Sequence, residues 1–279
     1  MARRFAQIDV FTSVALRGNP LAVVIDAEGL SDAAMAQFAA WTNLSETTFL
    51  LPPTVDGADY RVRIFTTTGE LPFAGHPTIG SCRVWLDHGG VAAGGDLTVQ
   101  ECGVGLVSVR SRGDRLAFAA PPLIRSGPVD GGLVAEIERA IGADIVDAAW
   151  ADNGPGWVAV EVADDEVVRR LRPALGSLPD LKLGIVGRAA GDGDDHDFDV
   201  EVRAFFPVAN GHCEDPVTGS LNASIAMWLM DRDPSLRSYV ARQGTVLGRD
   251  GRVYLDRDDD GAIWVGGNTV TPIAGTVEL

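Results

Sequence analysis

Short apolar stretches separated by turn residues run along most of the chain, and their spacing changes from strand-like to helix-like in a regular order. Pro20-Leu-Ala-Val-Val-Ile, entered through the Gly18-Asn19 turn, reads as a buried strand, and Arg61-Val-Arg-Ile-Phe65 alternates apolar and charged positions as a half-buried strand does. Between them Ser31 precedes Asp32 to Trp41, where Met35, Phe38 and Ala39 recur on one helical face, so a helix capped by Ser31 is predicted. A counterpart is predicted near Asp164 to Leu171, and Lys182 is placed at the start of a strand. Two further helices are predicted to open at Pro77 and Pro216, because proline's fixed φ and missing N–H suit a first helical residue. They are expected to end near Gly89-Gly90 and near Asp231, with His76 and Asp215 as their N-caps. Their bodies, Ile79 to Leu86 and Leu221 to Met230, are apolar nearly all round, the mark of a helix surrounded by other structure.

The second half repeats the first at an offset of about 135 to 140 residues. Pro20-Leu-Ala-Val-Val-Ile resembles Pro155-Gly-Trp-Val-Ala-Val, and Arg61-Val-Arg-Ile-Phe65 resembles Glu201-Val-Arg-Ala-Phe205. His76-Pro-Thr-Ile-Gly-Ser81 resembles Asp215-Pro-Val-Thr-Gly-Ser220, with Pro, Gly and Ser at the same places. Three echoes in one order predict an α+β protein of two pseudo-symmetric domains, each a curved, barrel-like sheet around a central helix. Pro121-Pro122 interrupts both ladder and helix and marks the boundary. The domains are therefore set at residues 1–120, joined by a C-terminal strand near 266–279, and at 121–265, with the active site expected in the cleft between them.

Composition removes several classes of function. The 279 residues carry 23 Lys plus Arg against 39 Asp plus Glu, a formal net charge of −16, which opposes gripping nucleic acid or an anionic membrane. No segment approaches the apolar length of a membrane span or a secretory leader, so a cytoplasmic location is expected. Cys82, Cys102 and Cys213 fit neither a disulfide framework nor paired zinc ligands. Lys182 is the sole lysine, and there is neither a Gly-Lys-Ser/Thr phosphate loop nor a G-x-G-x-x-G after a strand, which argues against nucleotide, nicotinamide and pyridoxal phosphate chemistry. His212-Cys213-Glu214-Asp215 are adjacent on a turn, where side chains rarely converge on one ion, so no metal is expected. The Gly/Asp run from Asp192 to Asp199, containing His196, lacks EF-hand spacing and reads as a solvated loop.

The helix starts point to a small anion as the ligand. Two helix N-termini offer N–H groups and positive dipole ends suited to a carboxylate, so an acidic protein can bind an acid without a basic surface. Glu46, in Asn43-Leu-Ser-Glu-Thr-Thr-Phe49, breaks the duplication, because the matching place near Lys182 has no acid. Read locally, Glu46 is either a surface cap or a desolvated carboxylate able to take and return a proton. His76 and Asp215 are likewise either caps or participants.

Gly18-Asn-Pro-Leu-Ala-Val-Val24, Asn-Leu-Ser-Glu-Thr-Thr-Phe around Glu46, Glu70-Leu-Pro-Phe-Ala-Gly-His-Pro-Thr78 and Glu214-Asp-Pro-Val-Thr-Gly-Ser220 together resemble the PhzF-type phenazine biosynthesis proteins, of diaminopimelate epimerase-like fold. The match extends from near residue 5 to Gln243-Gly-Thr-Val-Leu-Gly-Arg249 and beyond. The resemblance implies a homodimeric isomerase that needs neither cofactor nor metal and moves a proton within a small carboxylic acid. It makes Glu46, His76 and Asp215 the catalytic residues and Gly75, Gly219 and Ser220 the substrate-binding ones. Related epimerases carry a thiol at each helix start, where this chain has His76 and Asp215. Thr67 stands where proline is common, and Leu221-Asn222 replaces a frequent Ala-His. Two alternatives remain open: a two-base epimerase using Glu46 and Asp215, and a non-catalytic protein that binds small acids.

Overall fold

The structure, a computed structural model, describes residues 1–190 and 197–279. The elements run β1 (Ala2–Val10), β2 (Asn19–Val24), α1 (Asp32–Thr42), β3 (Thr47–Leu51), β4 (Tyr60–Phe65), β5 (Glu70–Leu71), α2 (Gly75–Asp87), β6 (Leu97–Cys102), β7 (Gly105–Arg112) and β8 (Arg115–Ala119). They continue through β9 (Arg125–Pro128), α3 (Gly131–Ile141), β10 (Asp147–Asp152), β11 (Trp157–Glu161), α4 (Asp165–Arg170), β12 (Lys182–Arg188), β13 (Val200–Val208) and β14 (Gly211–Asp215). The last are α5 (Gly219–Arg232), β15 (Ser238–Gln243), β16 (Gly251–Arg257), β17 (Ile263–Gly267) and β18 (Thr269–Glu278). Two compact units result: Met1–Ala119 with Gly266–Leu279, and Ala120–Val265.

The units are built on one pairing scheme. In the first, β2 runs parallel to β3, β3 antiparallel to β4, β4 antiparallel to β5 and parallel to β6, and β6 antiparallel to β7. In the second, β11, β12, β13, β14, β15 and β16 repeat those pairings in the same order. The echoed segments fall on matching strands, β2 with β11 and β4 with β13, so the duplication read from the sequence is a duplication of topology.

A helix occupies the inside of each sheet. Helix α2 packs on β1, β2, β3, β6, β7, β8 and β18, and a Cβ added to Gly80 would lie 2.6 Å from a Leu21 methyl, so glycine permits the close approach of helix to strand. Helix α5 lies against β10, β11 and β16, and Gly184 on β12 leaves the space that Leu221 fills. Burial on all sides removes a large apolar area from water, which is why these two helices need no polar face. Outside the first sheet, α1 places Met35, Phe38 and Ala39 against Val24, Phe49 and Phe65, and Ser31 accepts from the Ala34 N–H as predicted. Outside the second, α3 and α4 cover β11 and β12 through Ile137, Ile141 and Val168. Helix α3 was not anticipated, although Asp130 caps its start and Gly142, at φ 72°, ends it.

The two inner helices begin differently from the expectation. Helix α2 starts at Gly75 with Ala74 as its N-cap, so His76 is the second helical residue and Pro77 the third. The Thr78 N–H and hydroxyl both bond the Ala74 carbonyl, which draws the helix start ahead of His76. Helix α5 starts at Gly219 with Thr218 as its N-cap, leaving Asp215 at the end of β14 and Pro216 outside the helix. Here the Thr218 N–H is taken by the Gln243 side chain, and Thr218 stays extended at φ −111° and ψ 102°. Pro77 and Pro216 are therefore not at equivalent helix positions.

The Asp192–Asp199 run with His196 lies, for residues 192–196, outside the described residues. Among the described residues no helix is long and apolar enough to cross a membrane, and no three His, Cys, Asp or Glu are grouped to hold a metal ion. The three cysteines are free.

Candidate active site

In the first unit the candidate residues meet where α2 begins. Glu46 immediately precedes β3, at the end of a tight path set by Asn43, whose left-handed φ of 56° stops α1. His76 is the second residue of α2 and is only 6% exposed. Its Nε2 lies 3.4 Å from Glu46 Oε2, and its Nδ1 lies 3.4 Å from Nδ2 of Asn19, the first residue of β2. Burial drives the His76 pKa down to about 3, so the ring is neutral near neutral pH and the contact with Glu46 is not an ion pair. Because the Asn19 amide nitrogen can only donate, Nδ1 acts as acceptor and the ring proton resides on Nε2, facing the Glu46 carboxylate. Asn19 thus sets the tautomer that puts the ring proton on the Glu46 side, although at 3.4 Å His76 Nε2 and Glu46 Oε2 do not complete a hydrogen bond with each other. Gly75 is the first residue of α2, where helical N–H groups have no carbonyl four residues back and can serve an anion.

Neutral His76 also makes stability depend on pH. Its folded pKa lies below the ordinary value of 6.5, so the unfolded chain binds a proton that the folded chain refuses. The contribution is intact above about pH 6.5 and is lost as the pH falls toward 3. His76→Gln is expected to flatten the stability profile across this window by about one proton's worth of slope. Urea unfolding of both proteins at several pH values checks it; parallel profiles would mean that His76 is protonated in the folded state.

The second unit carries Asp215, Gly219 and Ser220. Asp215, at the end of β14, accepts the Thr218 hydroxyl on Oδ2 at 2.6 Å. Gly219 opens α5, and Ser220 follows it. The Ser220 Oγ accepts from the Trp157 indole at 3.1 Å, and its carbonyl accepts from the Asn153 amide at 3.1 Å. Since indole nitrogen is a donor only, the Ser220 hydroxyl proton is left to donate elsewhere. A cavity of about 700 Å³ in this unit, lined by Trp150, Met227, Trp228 and Ile263, contains none of the candidate residues.

Several polar residues at these helix starts were missed in the sequence: Asn19, Asn153, Thr218 and two glutamines. Gln100 on β6 donates to the Thr78 hydroxyl at 3.1 Å, and Gln243 on β15 donates to the Thr218 hydroxyl at 3.0 Å. Both glutamines are fully buried. The available signal was alternation: Gln243 shares the inward face of its strand with Tyr239 and Ala241, a polar residue where an apolar one is the rule. Asn222, the departure noted beside Leu221, is also fully buried and bonds the Gln243 Oε1 and the Thr218 carbonyl.

Known proteins place the chain. The family described as phenazine biosynthesis-like protein, PhzC-PhzF, matches residues 8–275. Antisense-enhancing sequence 1 of Schizosaccharomyces pombe is 34% identical across 97% of each chain. Trans-2,3-dihydro-3-hydroxyanthranilate isomerase of Pseudomonas aeruginosa is 34% identical across 95% of each. A solved PhzF-family phenazine biosynthesis protein from Enterococcus faecalis is 26% identical, with a TM-score of 0.83 over 100% of both chains. The fold is accordingly mixed α/β and diaminopimelate epimerase-like. The family match along nearly the whole length, together with relatives named isomerases, assigns the chain: it belongs to the PhzC-PhzF phenazine biosynthesis-like family and is an isomerase of that family.

Proposed function

We propose that this isomerase moves a proton within a small carboxylic acid, with Glu46 carrying the proton and neither a metal nor an organic cofactor taking part. The observation that supports it most is the pairing of Glu46 with the neutral, buried His76, whose Nε2 lies 3.4 Å from the Glu46 carboxylate. In the reaction proposed, the carboxylate takes a proton from one carbon of the substrate and the C–H electron pair enters an adjacent π system. The protonated Glu46 then returns the proton to a second carbon, so the double bond shifts and nothing is oxidised or reduced. The His76 Nε2–H, 3.4 Å from the carboxylate, is near enough to offset its charge while it acts as base. The N–H groups at Gly75, where α2 begins beside His76, suit the substrate carboxylate. Asp215 is the further polar participant.

Trans-2,3-dihydro-3-hydroxyanthranilate, from the name of the Pseudomonas aeruginosa relative, is the first compound to try. Incubated in heavy water with EDTA-dialysed protein, it is expected to isomerise and to take up deuterium. A panel of small unsaturated carboxylic acids extends the test. Deuterium at a second carbon, on the face from which the first proton left, supports the one-base shift, and deuterium at the original carbon with inverted configuration supports epimerisation by Glu46 and Asp215. If acids bind and neither isomerise nor exchange a C–H, the protein is a binder of acids and not a catalyst.

A further inference from the structure

Four hydrogen bonds converge on the buried side chain of Gln243. Its Oε1 accepts the Thr218 N–H at 3.0 Å and the Asn222 amide at 2.8 Å; its Nε2 donates to the Asp215 carbonyl at 3.1 Å and to the Thr218 Oγ at 3.0 Å. The backbone fixes the polarity of this network. The Thr218 N–H is an obligate donor, so it must meet the glutamine oxygen, and the Asp215 carbonyl is an obligate acceptor, so it must meet the nitrogen. Asn222 is fixed in the same way, because its Nδ2 also donates to the Thr218 carbonyl at 2.9 Å. With Gln243 Nε2 donating to it, the Thr218 hydroxyl receives one bond and has one proton to give. That proton goes to Asp215 Oδ2, 2.6 Å away.

We propose that Gln243 is a positioning residue for Asp215, acting through Thr218, whose hydroxyl it turns toward the Asp215 carboxylate. The inference rests on Asp215 being part of the reaction machinery, as set out above. Gln243 also holds the Asp215 carbonyl and the Thr218 N–H, so one side chain fixes both ends of the turn that presents the carboxylate ahead of α5. The first unit shows the unelaborated version. There Gln100 donates to the Thr78 hydroxyl, but its Oε1 accepts the Tyr60 hydroxyl at 2.8 Å and the Thr78 hydroxyl bonds the Ala74 carbonyl. The same device therefore extends a helix in one unit and orients a carboxylate in the other. Gly244, which follows Gln243, has no room for a Cβ, which would lie 2.6 Å from the Pro216 carbonyl, so the strand end is fitted against this turn.

The test reads Asp215 directly and needs no substrate. The full-length protein, labelled with ¹³C at aspartate carboxyls, is titrated by NMR as wild type, Gln243→Met, Thr218→Val, Thr218→Ser and the Gln243→Met/Thr218→Val double variant. Cys213 and Glu214 on β14, and Arg249 beside Gly244, are unchanged in all of them. A hydrogen bond to a carboxylate favours its charged form, so Thr218→Val and Gln243→Met are each expected to raise the Asp215 midpoint by about one pH unit. The double variant should rise no further than the larger single, since both act on one hydroxyl. Thr218→Ser should match wild type. Unchanged midpoints in Gln243→Met, or shifts that add, would overturn the proposal. If Gln243→Met fails to fold, Gln243→Glu supplies that arm, because it keeps the shape and the Oε1 bonds but removes the donor; placing Val at 218 must then raise its midpoint by less than it raises wild type's. A wild type that exchanges no C–H defeats the isomerase reading alone, because the titration is independent of turnover.

Discussion

Glu46→Gln is expected to lower deuterium uptake and isomerisation by ~10²–10⁴-fold, the range typical of losing a general acid–base group. The amide has the length and shape of the carboxylate, and the residue sits just before β3 with its side chain 16% exposed, so the fold should tolerate the exchange. The amide leaves the His76 contact with Asn19 untouched, which keeps the tautomer set by Asn19. What disappears is the ability to accept a proton from carbon. Binding of a carboxylate ligand should change little, because the N–H groups at the start of α2, proposed above to hold it, are untouched. The informative measurement pairs ligand affinity from calorimetry with exchange from heavy water. A variant that binds and exchanges at near wild-type rate would remove Glu46 from the mechanism; one that neither binds nor melts normally would show a structural role.

Local signals and long-range ones differ in how far the chain reveals them. The Ser31 cap and the Met35, Phe38, Ala39 face of α1 lie within one helix, and they read correctly from the sequence. The repeat was legible because strand pairing follows alternation and turn chemistry, both of which were copied between the halves. The starts of α2 and α5 were not legible, since proline geometry is a local rule and the deciding bonds are not local. At α5 the decision belongs to Gln243, 25 residues downstream of Thr218. Glu46 and His76 could each be singled out, but their 3.4 Å approach depends on how β3 and α2 pack, and Asn19 reaches His76 from 57 positions away. Burial, which makes His76 neutral, is a property of the assembled unit and of no residue in the motif.

Two arginine–glutamate pairs, one in each unit, should differ sharply in what they contribute to stability. Arg63 on β4 bonds Glu70 on β5 through Nε and Nη2, at 2.7 and 2.6 Å, and Arg203 on β13 bonds Glu214 on β14 through the same atoms at 2.9 and 2.7 Å. The first pair is partly solvated, with the Glu70 side chain 41% exposed, and Arg63 keeps Asp32 as a second partner. The second is enclosed, with side chains 4% and 11% exposed, and Arg203 also donates to the Val168 and Leu171 carbonyls from Nη1. Deleting one partner of a buried pair strands a charge away from water, at a cost of about 3–5 kcal/mol, whereas a solvated pair is typically worth ~1 kcal/mol or less. Glu214→Ala is therefore expected to destabilise the protein several-fold more than Glu70→Ala, read as the shift in urea midpoint. Arg203 anchors α4 as well as β14, so the loss should spread along that strand to Asp215, its last residue. Equal losses for the two variants would mean that Arg203 regains solvent when Glu214 is removed.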